Sequence, residues 1–222
     1  MILADTALHS VLWLVVHPAD EPRASVPGRD PHRLLVFGNF LAVGWGVPSH
    51  QVALPGQLAR AVAARTGRGA EVEVVGAESI TSSTAKKRIE LLKLRWYDGV
   101  VVSIGLSDAL RLTPPRRWRQ SMNEFLRAVV EQTPASTPII VTSIVPVRRV
   151  VIFRGFFGIA GDRHAATLNA IMEELCAEHD TVSFVTLPAL ILQGEEKTAV
   201  AFYANAADLI AGELSVRLPS SL

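Results

Sequence analysis

Three short stretches place glycine where a chain must turn sharply or let a ligand approach its backbone. They read Gly38-Asn39-Phe40-Leu41-Ala42-Val43-Gly44, Gly76-Ala77-Glu78-Ser79 and Gly105-Leu106-Ser107-Asp108. Each follows directly on a β-branched apolar run, and glycine is the residue that tolerates such a turn. A lone glycine carries little meaning, but three in equivalent places suggest a shared rim. Hydroxyls near that rim are Ser79, Thr81, Ser82 and Ser83. Ser79 is the first candidate for a nucleophile, whereas Thr81 or Ser82 suits the cap of the helix that follows. His50, after Pro48-Ser49, is within reach of the first turn, although Ser49 and His50 are adjacent and rarely point the same way. Asp162-Arg163-His164 resembles an acid–base pair but also reads as a helix start with its acidic dipole partner. The remaining histidines show no metal-ligand spacing.

These residues need elements to hold them, and the patterning supplies them. Short β-branched runs occur at Arg33–Phe37, Glu71–Val75, Gly99–Ile104, Pro138–Ile144 and Thr181–Leu187. Near-continuous apolar runs of this kind suit strands covered on both faces. Between them, apolar residues recur at helical spacing over Leu54–Arg65, Ser82–Leu94, Arg116–Gln132, Arg163–His179 and Ala199–Arg217. Strands alternating with helices predict a five-stranded parallel sheet wrapped on both sides, a three-layer α/β/α sandwich. In such a sheet ligands sit at the carboxyl ends of the strands, where the three glycine turns fall.

Composition limits the remaining choices. A chain of 222 residues with 49% hydrophobic content forms a packed core without disulfides or metal, and the single cysteine, Cys176, reads as a buried apolar residue. No cofactor or metal is expected. The net charge of +1 argues against a nucleic-acid partner. Arg111, Arg116, Arg117 and Arg119 cluster around Pro114-Pro115 as a solvated helix start or an anion-contacting rim. The apolar beginning (MILADTALHSVLWLVVHP) carries Asp5 and His9, lacks a basic leader, and falls short of the ~20 apolar residues of a bilayer span. It predicts a short helix packed on the domain or on a partner, homo-oligomer contact included, in a cytoplasmic protein. Residues 18 to 32 read as a linker, so the expected division is an arm over 1–32 and a domain over 33–222. The segment Val145–Gly161, with Phe153, Phe156 and Phe157, reads as a lid, a plug or an apolar interaction surface.

The order of strand, Gly-x-x-x-x-x-Gly turn, helix, strand, Gly turn, helix, strand and Gly-x-x-Asp resembles the SGNH (GDSL-type) hydrolases over roughly residues 33 to 217. That resemblance implies a flavodoxin-like sheet and an esterase site assembled from four blocks. In the first block, Gly-Asp-Ser, the serine is the nucleophile; here Asn39 and Phe40 follow Gly38. The second block supplies an oxyanion amide, matched by Gly76 or Ala77. The third, Gly-x-Asn-Asp, supplies an asparagine donor, matched by Ser107 before Asp108. The last, Asp-x-x-His-Pro, supplies acid and base; the best alignment places Val200 and Tyr203 there. Actinobacterial relatives that also lack the serine are similar in the first block.

Phenylalanine has no oxygen with which to attack a carbonyl. The resemblance therefore implies a vestigial cleft of Gly38, Asn39, Phe40, Gly76, Gly105, Ser107, Asp108 and Tyr203, and a pseudoenzyme that binds a small apolar ligand or a protein partner. Two other readings stay open: an esterase or acyltransferase with a relocated nucleophile, Ser79 first, and a structural or regulatory module.

Overall fold

The computed structural model of the chain describes residues 16–146, 156–188 and 196–220. The central strand, β2 (His32–Gly38), is a run of Leu, Val and Phe buried from Leu34 to Phe37, as expected of a strand with helices on both faces. It pairs in parallel with β3 (Ala70–Gly76) and with β4 (Gly99–Ser103). β5 (Ile139–Thr142) and β6 (Val182–Val185) continue the parallel set. The sheet has six strands in the order β1-β3-β2-β4-β5-β6.

The five expected parallel strands are all present; β1 (Arg23–Val26) adds a sixth strand and corrects the expectation of a linker over 18–32. It runs antiparallel to β3, pairing Arg23 with Glu73 and Val26 with Ala70. Four residues flanked by Pro22 and Pro27 carry too little apolar pattern to announce a strand. β3 would otherwise be an unpaired sheet edge, and pairing satisfies its main-chain groups. An antiparallel edge on a parallel sheet is a common arrangement.

Two helical layers cover the sheet. On one side α1 (Leu54–Thr66) packs against α6 (Glu196–Ser215). On the other α2 (Ser82–Ile89) packs on α4 (Pro115–Gln132), which packs on α5 (Phe156–Cys176). A short α3 (Leu106–Leu110) follows β4 directly. Pro55 and Pro115 stand in the first turns of α1 and α4, where a missing N–H costs nothing. On α4 the buried face is Trp118, Met122, Phe125, Leu126 and Val129, spaced as one helical stripe, and Phe125 stacks on Phe37 of β2 at 5.7 Å between centroids.

Two predicted boundaries shift. The helix expected over Ser82–Leu94 stops at Ile89, and a 3-10 turn, Leu94–Trp96, leads into β4. The helix expected from Arg163 begins at Phe156. Among the described residues no helix is long and apolar enough to cross a membrane. The predicted N-terminal helix and Phe153 lie outside the described residues.

Candidate functional site

Register alone brings the glycine turns together. Gly38, the last residue of β2, stands opposite Gly76 of β3 and Ser103 of β4, so all three strands end at one level. Gly38 has φ 140°, and a Cβ there would lie 1.8 Å from the Ser103 carbonyl oxygen. Glycine is required by that contact and by that dihedral. The Asn39 N–H donates to the same Ser103 carbonyl at 2.8 Å, fixing the exit of the chain.

Asn39 then ties the three turns to one another. Its buried side-chain amide donates to the Ile80 carbonyl at 2.9 Å and lies 3.5 Å from the Ser107 hydroxyl. Ser107 donates to the Glu78 carbonyl at 3.3 Å, so its hydroxyl is spent on the scaffold. Asp108 is buried. Its carboxylate accepts from the Ser82 N–H at 3.0 Å, the Ser82 hydroxyl at 2.6 Å and the Thr113 hydroxyl at 3.1 Å. Ser82 opens α2, so Asp108 supplies a negative charge to a helix N-terminus. Burial outweighs these bonds and raises the Asp108 pKa above the usual aspartate value. Gly105, φ 123°, lets α3 start at once; a Cβ there would meet Ile144 Cδ1 at 2.5 Å.

Phe40 occupies the turn's apex with φ 46°, a left-handed backbone that is unusual for a bulky residue. Its ring is 3% exposed and meets Trp45 edge-on at 5.0 Å between centroids. A cavity of about 10 Å³ remains among Asn39, Phe40, Trp45, Ser107 and Leu110, barely the space of one water. Tyr203, in α6, is 1% exposed and donates its hydroxyl to the Trp45 carbonyl at 2.9 Å. Burial raises its pKa far above the usual phenol range. Val200 lies one helical turn earlier and is partly buried.

Gly76 and Ala77, the two candidates for an oxyanion amide, point opposite ways. The Ala77 N–H donates to the Gly38 carbonyl at 3.0 Å. The Val74 N–H donates to the Pro22 carbonyl on the β1 side. Main-chain groups alternate sides along a strand, so Gly76 faces the β1 side as well. β1 begins only at Arg23, and Gly76 instead lines an open cleft of 870 Å³ with His17, Pro18, His50, Glu78 and Ser79 among others.

That cleft holds a feature the sequence reading undervalued. The His50 ring lies 2.8 Å, through Nδ1, from Asp20 Oδ1, and the His50 N–H donates to both Asp20 oxygens at 2.8 and 3.0 Å. Burial alone would raise the Asp20 pKa; the bonds from His50 outweigh it and hold the carboxyl below its usual value. Across the cleft, Glu78 Oε1 accepts from the Trp45 indole N–H at 3.2 Å and pairs with His17 at 3.6 Å. A spacing of thirty residues between Asp20 and His50 left no local signal to find.

Other candidates are structural in their contacts. The Ser79 hydroxyl is exposed and accepts from Arg88 at 3.0 Å. His164 donates to the Thr113 carbonyl at 2.7 Å, which links α5 to the loop before α4. Arg119 pairs with Glu174. Cys176 is buried, and burial pushes its thiol up to about 12. Among the described residues no group of histidine, cysteine and carboxylate side chains could hold a metal ion. Phe156 and Phe157 open α5, but their side chains, like Phe153, lie outside the described residues.

The mostly parallel sheet, its two helical layers and its level turns define a three-layer α/β/α scaffold. Residues 36–206 match the model of the GDSL-like lipase/acylhydrolase family, and the chain belongs to that family. A comparison with curated proteins found no match. Among solved structures the chain is similar to one from Bacteroides ovatus described as a GDSL-like lipase, at 12% identity and a TM-score of 0.63. The match covers 86% of this chain and 55% of that one, so the chain spans little more than half of that protein. It is also similar to Axe2, an acetyl-xylooligosaccharide esterase from Geobacillus stearmophilus, at 16% identity and a TM-score of 0.60, covering 88% and 99%. The SGNH-hydrolase family esterase AlinE4 aligns at 19% identity and a TM-score of 0.57, covering 70% and 76%. At these identities the likeness is one of fold.

Proposed function

We propose that this protein is a member of the SGNH family that binds a ligand or partner and does not turn over ordinary esters. The observation that carries this reading is Phe40. At the position matched to the nucleophile, the chain keeps a left-handed turn but mounts a ring that packs on Trp45. The remaining space, about 10 Å³, does not admit an acyl group. Tyr203, matched to the base, is committed to the Trp45 carbonyl. Gly38, Asn39, Phe40, Gly76, Gly105, Ser107, Asp108 and Tyr203 are then remnants of a cleft that now serve as scaffold. Removing one member of a triad can leave residual rate from oxyanion binding, but here the Ser107 hydroxyl and the Ala77 N–H are spent as well. Purified protein tested with p-nitrophenyl acetate and butyrate should match the buffer blank. Saturable hydrolysis that survives rigorous purification overturns the reading.

One observation favours a second reading, an esterase or acyltransferase that uses Ser79. Ser79, His17 and His50 line the same 870 Å³ cleft. A fluorophosphonate probe followed by peptide mass spectrometry decides between the two. Labelling of the peptide containing Ser79 supports the relocated nucleophile, and an unlabelled digest counts against it.

A further inference from the structure

The cleft beside the filled site has apolar walls, formed by Pro18, Pro22, Ala42, Val43 and Val74. Its polar lining is His17, His50, Glu78 and Ser79 together with the main chain of Gly76. Behind His50, Asp20 is held below its usual pKa and accepts from the His50 ring and N–H. The His50 nitrogen facing it, Nδ1, must carry the proton. In the neutral ring this leaves Nε2 as a lone pair. His50 is 6% exposed and lines the cleft, and no hydrogen bond to its Nε2 occurs among the described residues. The sealed, unpartnered side-chain atoms among the described residues are His32 Nε2 and Asn123 Oδ1, so the His50 Nε2 keeps its access to the cleft. Glu78 also lines the cleft; Trp45 and His17 engage its Oε1, and no hydrogen bond to its Oε2 occurs among the described residues.

Charge points the same way. Glu78 lines the cleft, Asp20 stands behind His50 and outside the lining, and Arg88 reaches the lining only through its bond to the Ser79 hydroxyl. Beyond Pro22 and Val74 a neighbouring hollow is lined by Asp20, Glu21, Glu71 and Glu73 against Arg23. A carboxylate and an unpartnered imidazole nitrogen, set in apolar walls, fit a donor-bearing cation with a short apolar body.

We propose that this cleft binds a small primary alkylammonium or arylalkylammonium, with His50 Nε2 and Glu78 accepting its N–H groups and the prolines and valines covering its carbon body. This names a ligand class for the binding role proposed above. Its test reads binding and not hydrolysis, so each proposal can fail alone.

The test uses the full chain, labelled with ¹⁵N-histidine and titrated at about pH 8 with benzylamine, benzyl alcohol and benzoate as probes. The expected result is a saturable shift of the His50 Nε2 resonance with benzylamine, affinity at least about tenfold weaker for benzyl alcohol, and none for benzoate. Glu78→Gln should weaken benzylamine binding roughly three- to tenfold, because it removes the charge and keeps the shape. His50→Ala should abolish it. His50→Ala also removes the partner of Asp20, so Glu78→Gln, confirmed folded by circular dichroism, is the deciding variant. Three outcomes overturn the proposal: no saturable shift at His50, equal affinity for benzyl alcohol or benzoate, or unchanged binding in Glu78→Gln.

Discussion

Tyr203 holds Trp45 by its main chain: the phenol of α6 donates to the Trp45 carbonyl at 2.9 Å, in a setting that is 1% exposed. Trp45 in turn covers Phe40. On the alignment proposed above, the residue in the place of the family's base closes over the residue in the place of its nucleophile, through one residue of the intervening loop.

Removing that hydroxyl leaves a buried carbonyl without its partner. Tyr203→Phe should lower stability by about 1–2 kcal/mol, the cost of one buried unsatisfied acceptor. Urea denaturation should show a lower midpoint with an unchanged slope, since the fold still buries the same surface. Tyr203→His should also destabilise, and it should give no turnover of p-nitrophenyl acetate. An unchanged midpoint for Tyr203→Phe would show that water replaces the lost bond.

Phe40 carries two opposed contributions. Its ring is buried, and its φ of 46° is a backbone that only glycine adopts without strain. Phe40→Ala should cost about 3–5 kcal/mol, as aromatic truncations in packed cores do. Phe40→Gly loses the same ring but relieves the backbone, and should be more stable than Phe40→Ala by about 1 kcal/mol. This reverses the usual order, in which glycine is the worse residue. If the proposed reading holds, Phe40→Ser should show no turnover of p-nitrophenyl acetate, because Tyr203 and Val200 supply neither base nor acid. Paired urea curves for the Ala and Gly variants check the order; a more stable Ala variant would refute the strain.

The sheet was legible because burial on two faces demands runs such as Leu34–Phe37, Val100–Val102 and Ile139–Val141, which leave a strong local pattern. The glycine turns were legible for a related reason: Gly38 and Gly105 sit where a side chain would collide. β1 was not legible, because a four-residue edge strand needs pairing more than it needs apolar pattern. Asp20 and His50 were not legible either. His50 alone gives no hint that a carboxylate from the preceding arm will fold onto it, and the arm itself resembles a linker in composition. Ser107 illustrates the limit for side chains: its type allows donation toward a ligand, but its geometry directs it to the Glu78 carbonyl.

Asp108 makes a prediction about pH. Burial raises its pKa in the folded protein above the usual aspartate value of 3.8. Between the unfolded and folded values the native state binds more protons, so stability falls as pH rises through that window. The Asp108→Asn variant has no such titration. The stability of the parent minus that of Asp108→Asn should therefore be largest below about pH 3.8 and decline as pH rises, reaching its floor above the folded pKa. Urea midpoints for both proteins across that range measure it. A difference that grows with pH would mean that the Ser82 and Thr113 bonds outweigh burial.

Asp20 predicts the opposite sign, and it does so at the arm. Bonds from His50 hold its pKa below 3.8 in the folded protein, so the contribution is present above the unfolded pKa and is lost as pH falls through the folded one. The arm has other ties to the loop it crosses: Gly46 N–H to the Val16 carbonyl at 2.8 Å and Ala19 N–H to the Pro48 carbonyl at 3.2 Å. Asp20 is the member whose two oxygens serve three bonds from one residue. Asp20→Asn keeps one acceptor oxygen and loses the other, so it should loosen the arm without unfolding the sheet. The readout is hydrogen exchange of the His50 amide, which should speed by about tenfold or more in Asp20→Asn while amides of β2 and β4 keep their protection. Acid should mimic the substitution in the parent protein, on the low side of pH 3.8 once the intrinsic pH dependence of exchange is subtracted. If His50 exchange is unchanged by the substitution, the main-chain ties carry the arm and the carboxylate serves only to orient the ring.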